Sequence, residues 1–148
     1  MKKFKFQLAA LLKVTKMKKE QAEIEFAESS QRLLKEQRVL KKIEEEEQEN
    51  ICEYYKIAQN SVKINDLVFY SSYFEHVKKR KNQQALAIVE AETYNQQCLQ
   101  VLREAMSKLK TIEQLREKRL DQFKQIMLEE EQKELDEIGL KIYTRMVR

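Results

Sequence analysis

The sequence predicts an all-α protein, two long helices forming an antiparallel coiled-coil hairpin with the second helix overhanging at the C-terminus. Three observations predict it. The 148 residues contain no Pro and a single Gly, Gly139, so the strongest punctuators of local structure are nearly missing. Charged residues make up 36% and apolar residues 42%, a balance expected of long helices. Apolar residues also recur with a seven-residue period, and the pattern falters in one place, the run NSVKIND from Asn60 to Asp66.

The first helix is expected over about 4–62. Its a positions are Lys5, Leu12, Lys19, Phe26, Leu33, Leu40, Glu47, Tyr54 and Ser61. Its d positions are Leu8, Thr15, Ala22, Ser29, Glu36, Ile43, Asn50, Ile57 and Ile64. Ten of these eighteen are apolar, little more than composition alone would place there. The second helix, expected over about 67–145, carries the clearer seam. Leu67, Phe74, Lys81, Ile88, Asn95, Leu102, Leu109, Arg116 and Phe123 fall at a. Tyr70, Val77, Gln84, Ala91, Cys98, Ala105, Ile112, Arg119 and Ile126 fall at d, and thirteen of the eighteen are apolar.

Folding back must bring a opposite d. Both registers allow this when paired residue numbers sum to 131, which places the turn at 63–66, centred on Asn65 and Asp66. Leu8 then meets Phe123, Leu40 meets Ala91 and Ile57 meets Phe74. Polar seam residues meet as well: Thr15 with Arg116, Glu36 with Asn95, Glu47 with Gln84, Asn50 with Lys81. Such polar layers fix register at some cost in stability. Asp66 is the expected N-cap of the second helix, and Asn60 and Ser61 weaken the end of the first. Residues beyond about Leu128 are left without a partner in the chain. Leu128, Leu135, Ile138, Ile142 and Met146 recur there at helical spacing, out of phase with the seam, and offer a docking stripe. The competing reading has this tail packing on the first helix or fraying near Gly139. One continuous helix dimerising in parallel is the rival architecture, because the two registers differ by a single residue across the turn.

Net charge is +4 and unevenly spread. Residues 1–19 hold seven Lys and no acid, whereas residues 20–53 hold eleven Glu against five Lys or Arg. This dipolar pattern suits docking to different surfaces better than uniform nucleic-acid binding. The basic cluster KKRK, Lys78 to Lys81, lies beside acidic and aromatic residues with no known binding module, so no nucleic-acid partner is expected. The opening MKKFKFQLAALLKV begins as a secretory signal does, but Gln7 and Lys13 interrupt it and no small-x-small cleavage site follows. No apolar run approaches the roughly 20 residues that span a bilayer, so no direct membrane insertion is expected. Cys52 and Cys98 lie far apart without CxxC or Cys/His partners, as reduced thiols of a cytosolic protein would. His76 is the only histidine, and no phosphate loop, metal-ligand cluster or paired nucleophile and base accompanies it. No catalytic residue, cofactor or metal is expected, and the run Glu44 to Glu47 reads as a solvated helix face.

Four stretches carry a resemblance: the opening FKFQLAALL, LVFYSSYFEHV after the turn, KLKTIEQLREKRLDQF from Lys108, and EEEQKELDEIG from Glu129. In this order, over nearly the whole chain, they make it similar to the FliJ family of flagellar type III export proteins. The related stalk proteins of virulence-type secretion systems share the architecture and stay open as an alternative. The resemblance implies a non-enzymatic coiled coil, like the central stalk of rotary ATPases. Such a stalk sits in the pore of the hexameric export ATPase, contacts the export gate in the membrane and handles export chaperones. The implied location is the cytoplasm, at the cytoplasmic face of the inner membrane. By position, Gln132, Lys133, Leu135, Asp136, Glu137 and Ile138 would face the ATPase, beside Phe6, Leu11 and Leu12. Tyr70, Tyr73, Phe74 and Val77 would serve the gate or chaperone contact. The lysine-rich first turn departs from the family pattern. So does the shortness of the sequence after Arg148, which puts contacts of a longer tail in doubt.

Overall fold

The computed structural model describes residues 2–147 as two helices, α1 (Ala9–Asn60) and α2 (Ile64–Val147), packed as an all-α hairpin with no strand among them. Side chains of α1 meet those of α2 in opposite chain order, Tyr54 with Tyr70 and Ser29 with Asn95. The continuous parallel rod is thereby excluded.

The chain divides into two compact units, one of Gln21–Arg103 and one of Met1–Glu20 with Glu104–Arg148. In the first, Ala22, Ile43, Val77, Ala91, Cys98 and Leu102 form the apolar core, with Ser29 buried among them. In the second, Thr15 and Leu109 are the buried residues. All nine occupy a or d positions of the seam read from the sequence. Two helices can bury only a narrow stripe of each other, so the residues beside it keep one flank in water. No buried side-chain nitrogen or oxygen among the described residues lacks a partner.

The pairing within the central unit differs from the expected one. Ser29 with Asn95 and Tyr54 with Tyr70 each add to 124, not 131. The offset is one heptad. A shift of seven preserves the a-to-d pairing, so the hydrophobic pattern cannot distinguish the two registers. Lys81, Gln84 and Asn95 of α2 still find polar partners, but different ones. Lys81 Nζ donates to Glu47 Oε2 at 2.8 Å, and Gln84 Nε2 donates to Glu36 Oε2 at 2.6 Å and to its carbonyl at 2.8 Å. Ser29 Oγ and Ser30 Oγ lie 2.8 and 3.0 Å from Asn95 Oδ1. Asn50 Nδ2 donates to Tyr73 Oη at 2.7 Å.

The turn moves with the register. The connection is residues 61–63, earlier than the expected 63–66, and no described residue needs a positive φ. That is why the turn closes without glycine. The Lys63 carbonyl accepts from the amides of Asp66 at 3.0 Å and Leu67 at 3.2 Å, so Asp66 is already helical and is not the N-cap. Its carboxylate instead sits in the first turn of α2, where it complements the positive end of the helix dipole.

The start of α1 is also later than expected, at Ala9 rather than about residue 4. No acidic residue stands in its first turn, and no Ser, Thr, Asp or Asn is available among residues 2–8 to cap it. Lysines at that end oppose the dipole. Residues 2–8 leave the helix and lay Phe4 on Phe123, ring centroids 5.6 Å apart. Opposite this irregular segment the heptad lapses. Arg116, Arg119 and Ile126 are exposed, and Leu120, Phe123 and Met127 are the half-buried residues.

Candidate partner-binding surfaces

The terminal unit holds the first candidate surface. From Glu131 to Val147 every residue of α2 is exposed. Leu128, Leu135, Ile138, Ile142 and Met146 are 51 to 80% exposed. At 100° per residue these five lie within a sector of about 80°, a continuous apolar stripe. Leu140, Tyr143 and Val147 add apolar surface on another side. Gln132 borders the stripe, whereas Lys133, Asp136 and Glu137 lie around the other side of the helix, all four exposed, with Gln132 Nε2 donating to Asp136 Oδ1 at 3.1 Å. Gly139 continues the helix without interruption, and a Cβ added there would meet nothing within 4 Å.

The other terminal residues named from the sequence are placed differently from one another. Leu11 is exposed, Leu12 is half-buried in the seam, and Phe6 is half-buried in a cleft of about 600 Å³. Residues 3–8 form one wall of that cleft and α2 from Leu115 to Ile126 the other. Phe4, Phe6, Phe123 and Ile126 make it apolar, while Lys3 and Arg119 make it positive. An apolar side chain next to a carboxylate is the chemistry such a cleft receives.

The second candidate surface adjoins the turn in the central unit. Tyr70, Tyr73 and Phe74 are half-buried, and Val77 is only 2% exposed. These residues build the helix interface. Tyr54, Tyr70 and Phe74 pack ring to ring at centroid distances of 5.2 to 6.2 Å, and Tyr73 Oη accepts from Asn50. The free apolar surface lies beside them, at Tyr55, Ile64, Val68 and Phe69, which are 61 to 78% exposed. Reading by motif overlooked these four. The signal that marks Tyr55, Val68 and Phe69 is apolar character off the seam, since Val68 and Phe69 follow the a residue Leu67 and precede the d residue Tyr70, whereas Ile64, read as a d residue, opens α2 and is left uncovered.

A two-helix hairpin with a shallow core, an uncovered apolar extension of one helix and a second uncovered patch near its turn belongs to the class of coiled-coil proteins. Within that class the assignment is specific. The family model described as Flagellar FliJ protein matches residues 4–148, essentially the whole chain. The chain belongs to the FliJ family, and so to the coiled-coil proteins associated with flagellar export. No curated protein and no solved structure matches it significantly. No helix among the described residues is long and apolar enough to cross a membrane.

Proposed function

We propose that this protein is a non-enzymatic adaptor of the flagellar export apparatus, a coiled-coil stalk that docks in the ring of the export ATPase and links it to the export gate. The observation that carries this reading is the uncovered stripe from Leu128 to Met146, an apolar surface left exposed among the described residues. A hexameric ring encloses what enters its pore, so a helix extension apolar on one face and charged beside it suits that site. Leu135 and Ile138 are the anchors, with Gln132 at their rim, and Lys133, Asp136 and Glu137 meet the enclosing ring from the other side of the helix. Phe6, Leu11 and Leu12 contribute from the same unit through the basic apolar cleft and the first turns of α1. The patch at Val68 and Phe69 serves the gate or an export chaperone, backed by the rings of Tyr70, Tyr73 and Phe74. Val77 acts only through packing, because it is buried. The protein works in the cytoplasm, peripheral to the inner membrane.

Support from stability runs in the same direction. A seam this narrow must offset a backbone ordering cost of about 1 to 2 kcal/mol per residue, and a partner that binds only the folded form adds to its stability. The test is capture of the purified export ATPase by the chain and by a Leu135→Asp/Ile138→Asp variant. Both positions are exposed, so helicity by circular dichroism is expected to stay unchanged while capture falls by at least tenfold. Unchanged capture refutes the terminal assignment.

A further inference from the structure

Residues 2–18, the segment before α1 and its first turns, carry charge that folding leaves largely uncompensated. Lys2 reaches Glu130 at 3.8 Å across open solvent. Lys3, Lys5, Lys13, Lys16 and Lys18 are exposed and make no ion pair among the described residues. No acidic residue occurs before Glu20. On the same turns Leu11, Val14 and Met17 are 47, 47 and 58% exposed. At about 100° per residue they share one face, separate from the seam face of Leu12 and Thr15, with Lys13 and Lys18 beside them. A helix of a hairpin needs one apolar face. This segment has two, and among the described residues the second stays open to solvent.

We infer that this second face of α1 rests on an anionic phospholipid surface, with Val14 and Met17 entering the headgroup layer and the lysines around them engaging lipid phosphates. The distribution of charge favours lipid over an acidic protein. All seven cations before Glu20 are lysines, on flexible stems and on several sides of the segment, with no arginine to grip a carboxylate bidentately. That arrangement matches a diffuse sheet of negative charge better than a fixed constellation of carboxylates. Three partly exposed apolar side chains anchor weakly alone, and a polybasic cluster is the second signal that makes such binding stable. Each lysine near the surface strengthens binding by a factor of about 5. The inference goes beyond the adaptor reading and does not rest on it: of the face only Leu11 is used by that reading, and the test turns on Val14, Met17 and the lysines with the purified chain and lipid alone.

The test is co-sedimentation of the full chain with vesicles of phosphatidylcholine alone and of phosphatidylcholine mixed equally with phosphatidylglycerol. Binding is expected only to the mixed vesicles. Lys13→Gln/Lys18→Gln should weaken it roughly twenty-fivefold. Val14→Gln/Met17→Gln should weaken it about tenfold. The chain has no tryptophan, so Met17→Trp gives a single reporter on the folded protein whose emission should shift to the blue only with mixed vesicles. Absence of binding to mixed vesicles, equal binding to both kinds, or a Met17→Trp emission that does not move overturns the inference. Failure on vesicles together with retention on immobilised polyglutamate also overturns it, and assigns the face to an acidic protein.

Discussion

Lys81 shows how a polar residue is tolerated in a seam this thin. Its pKa is raised above the ordinary 10.5, chiefly by the hydrogen bond its ammonium donates to Glu47. A raised value means that the folded chain holds the proton more tightly than the unfolded one. The stabilisation is therefore complete below pH 10.5 and is lost as pH rises through the higher folded value. In urea titrations the difference in midpoint between the chain and Lys81→Met should be constant below pH 10.5 and narrow above it. A difference that already narrows near neutrality would contradict the assignment. Val77 and Val68 give a sharper contrast. Val77 is 2% exposed and Val68 61%. Truncation of Val77 to Ala should cost about 2 kcal/mol through lost burial and the void left behind. The same change at Val68 should fall within about 0.5 kcal/mol, as surface substitutions do. Paired chemical denaturation of the two variants measures this directly.

For the helices as elements, register is the property to test. In a chain with Cys52 and Cys98 replaced by Ser, cysteines at 29 and 95 should oxidise readily to a disulfide, because Ser29 Oγ and Asn95 Oδ1 are 2.8 Å apart. Cysteines at 36 and 95, the pair one heptad away, should not. Readiness of the second pair and not the first would restore the register read from the sequence. The two outcomes separate what the sequence can and cannot specify. Periodicity located Thr15, Ser29, Ile43, Leu102 and the other buried residues on the seam, since a seven-residue repeat reports directly which face is covered. It did not locate the turn, because sliding by seven keeps every a opposite a d. Only turn chemistry can break that tie, and three residues closing with negative φ carry no Gly or Pro to mark them. Asp66 suggested a cap, but a first-turn acid fits the helix dipole equally well. The exposed overhang was legible because its apolar stripe leaves the phase of the seam. The patch near the turn was not, since Tyr70 and Phe74 drew attention to the interface and away from Val68 and Phe69. Gly139 supplies a second test at this scale. With open space around its position, Gly139→Ala should stabilise the end of α2 by about 1 kcal/mol, seen as slower amide exchange between Leu135 and Ile142.

For the whole molecule, the adaptor reading requires that its two apolar surfaces act on different partners. They belong to different units, Leu135 and Ile138 to the terminal one, Val68 and Phe69 to the central one. Neither pair contributes to the buried core, so each can be altered without unfolding the chain. Val68→Asp/Phe69→Asp places two carboxylates on the patch near the turn, where any apolar partner would have to desolvate them. This variant should retain capture of the export ATPase within about twofold and lose binding to the cytoplasmic part of the export gate, or to an export chaperone, by at least tenfold. Leu135→Asp/Ile138→Asp should do the reverse. Parallel capture experiments with each purified partner discriminate between one shared site and two. If both variants abolish the same interaction and spare the other, both surfaces serve one partner and the two-ended assignment is wrong. If each abolishes its own, the hairpin holds two partners through residues of different units, and motility of a strain carrying either variant should fail for a different reason. Co-expression of the two variants then decides whether one molecule must hold both partners at once. Separate chains, each with one intact surface, should fail to restore motility if the link is physical, and should restore it if the two contacts are made in turn by different molecules.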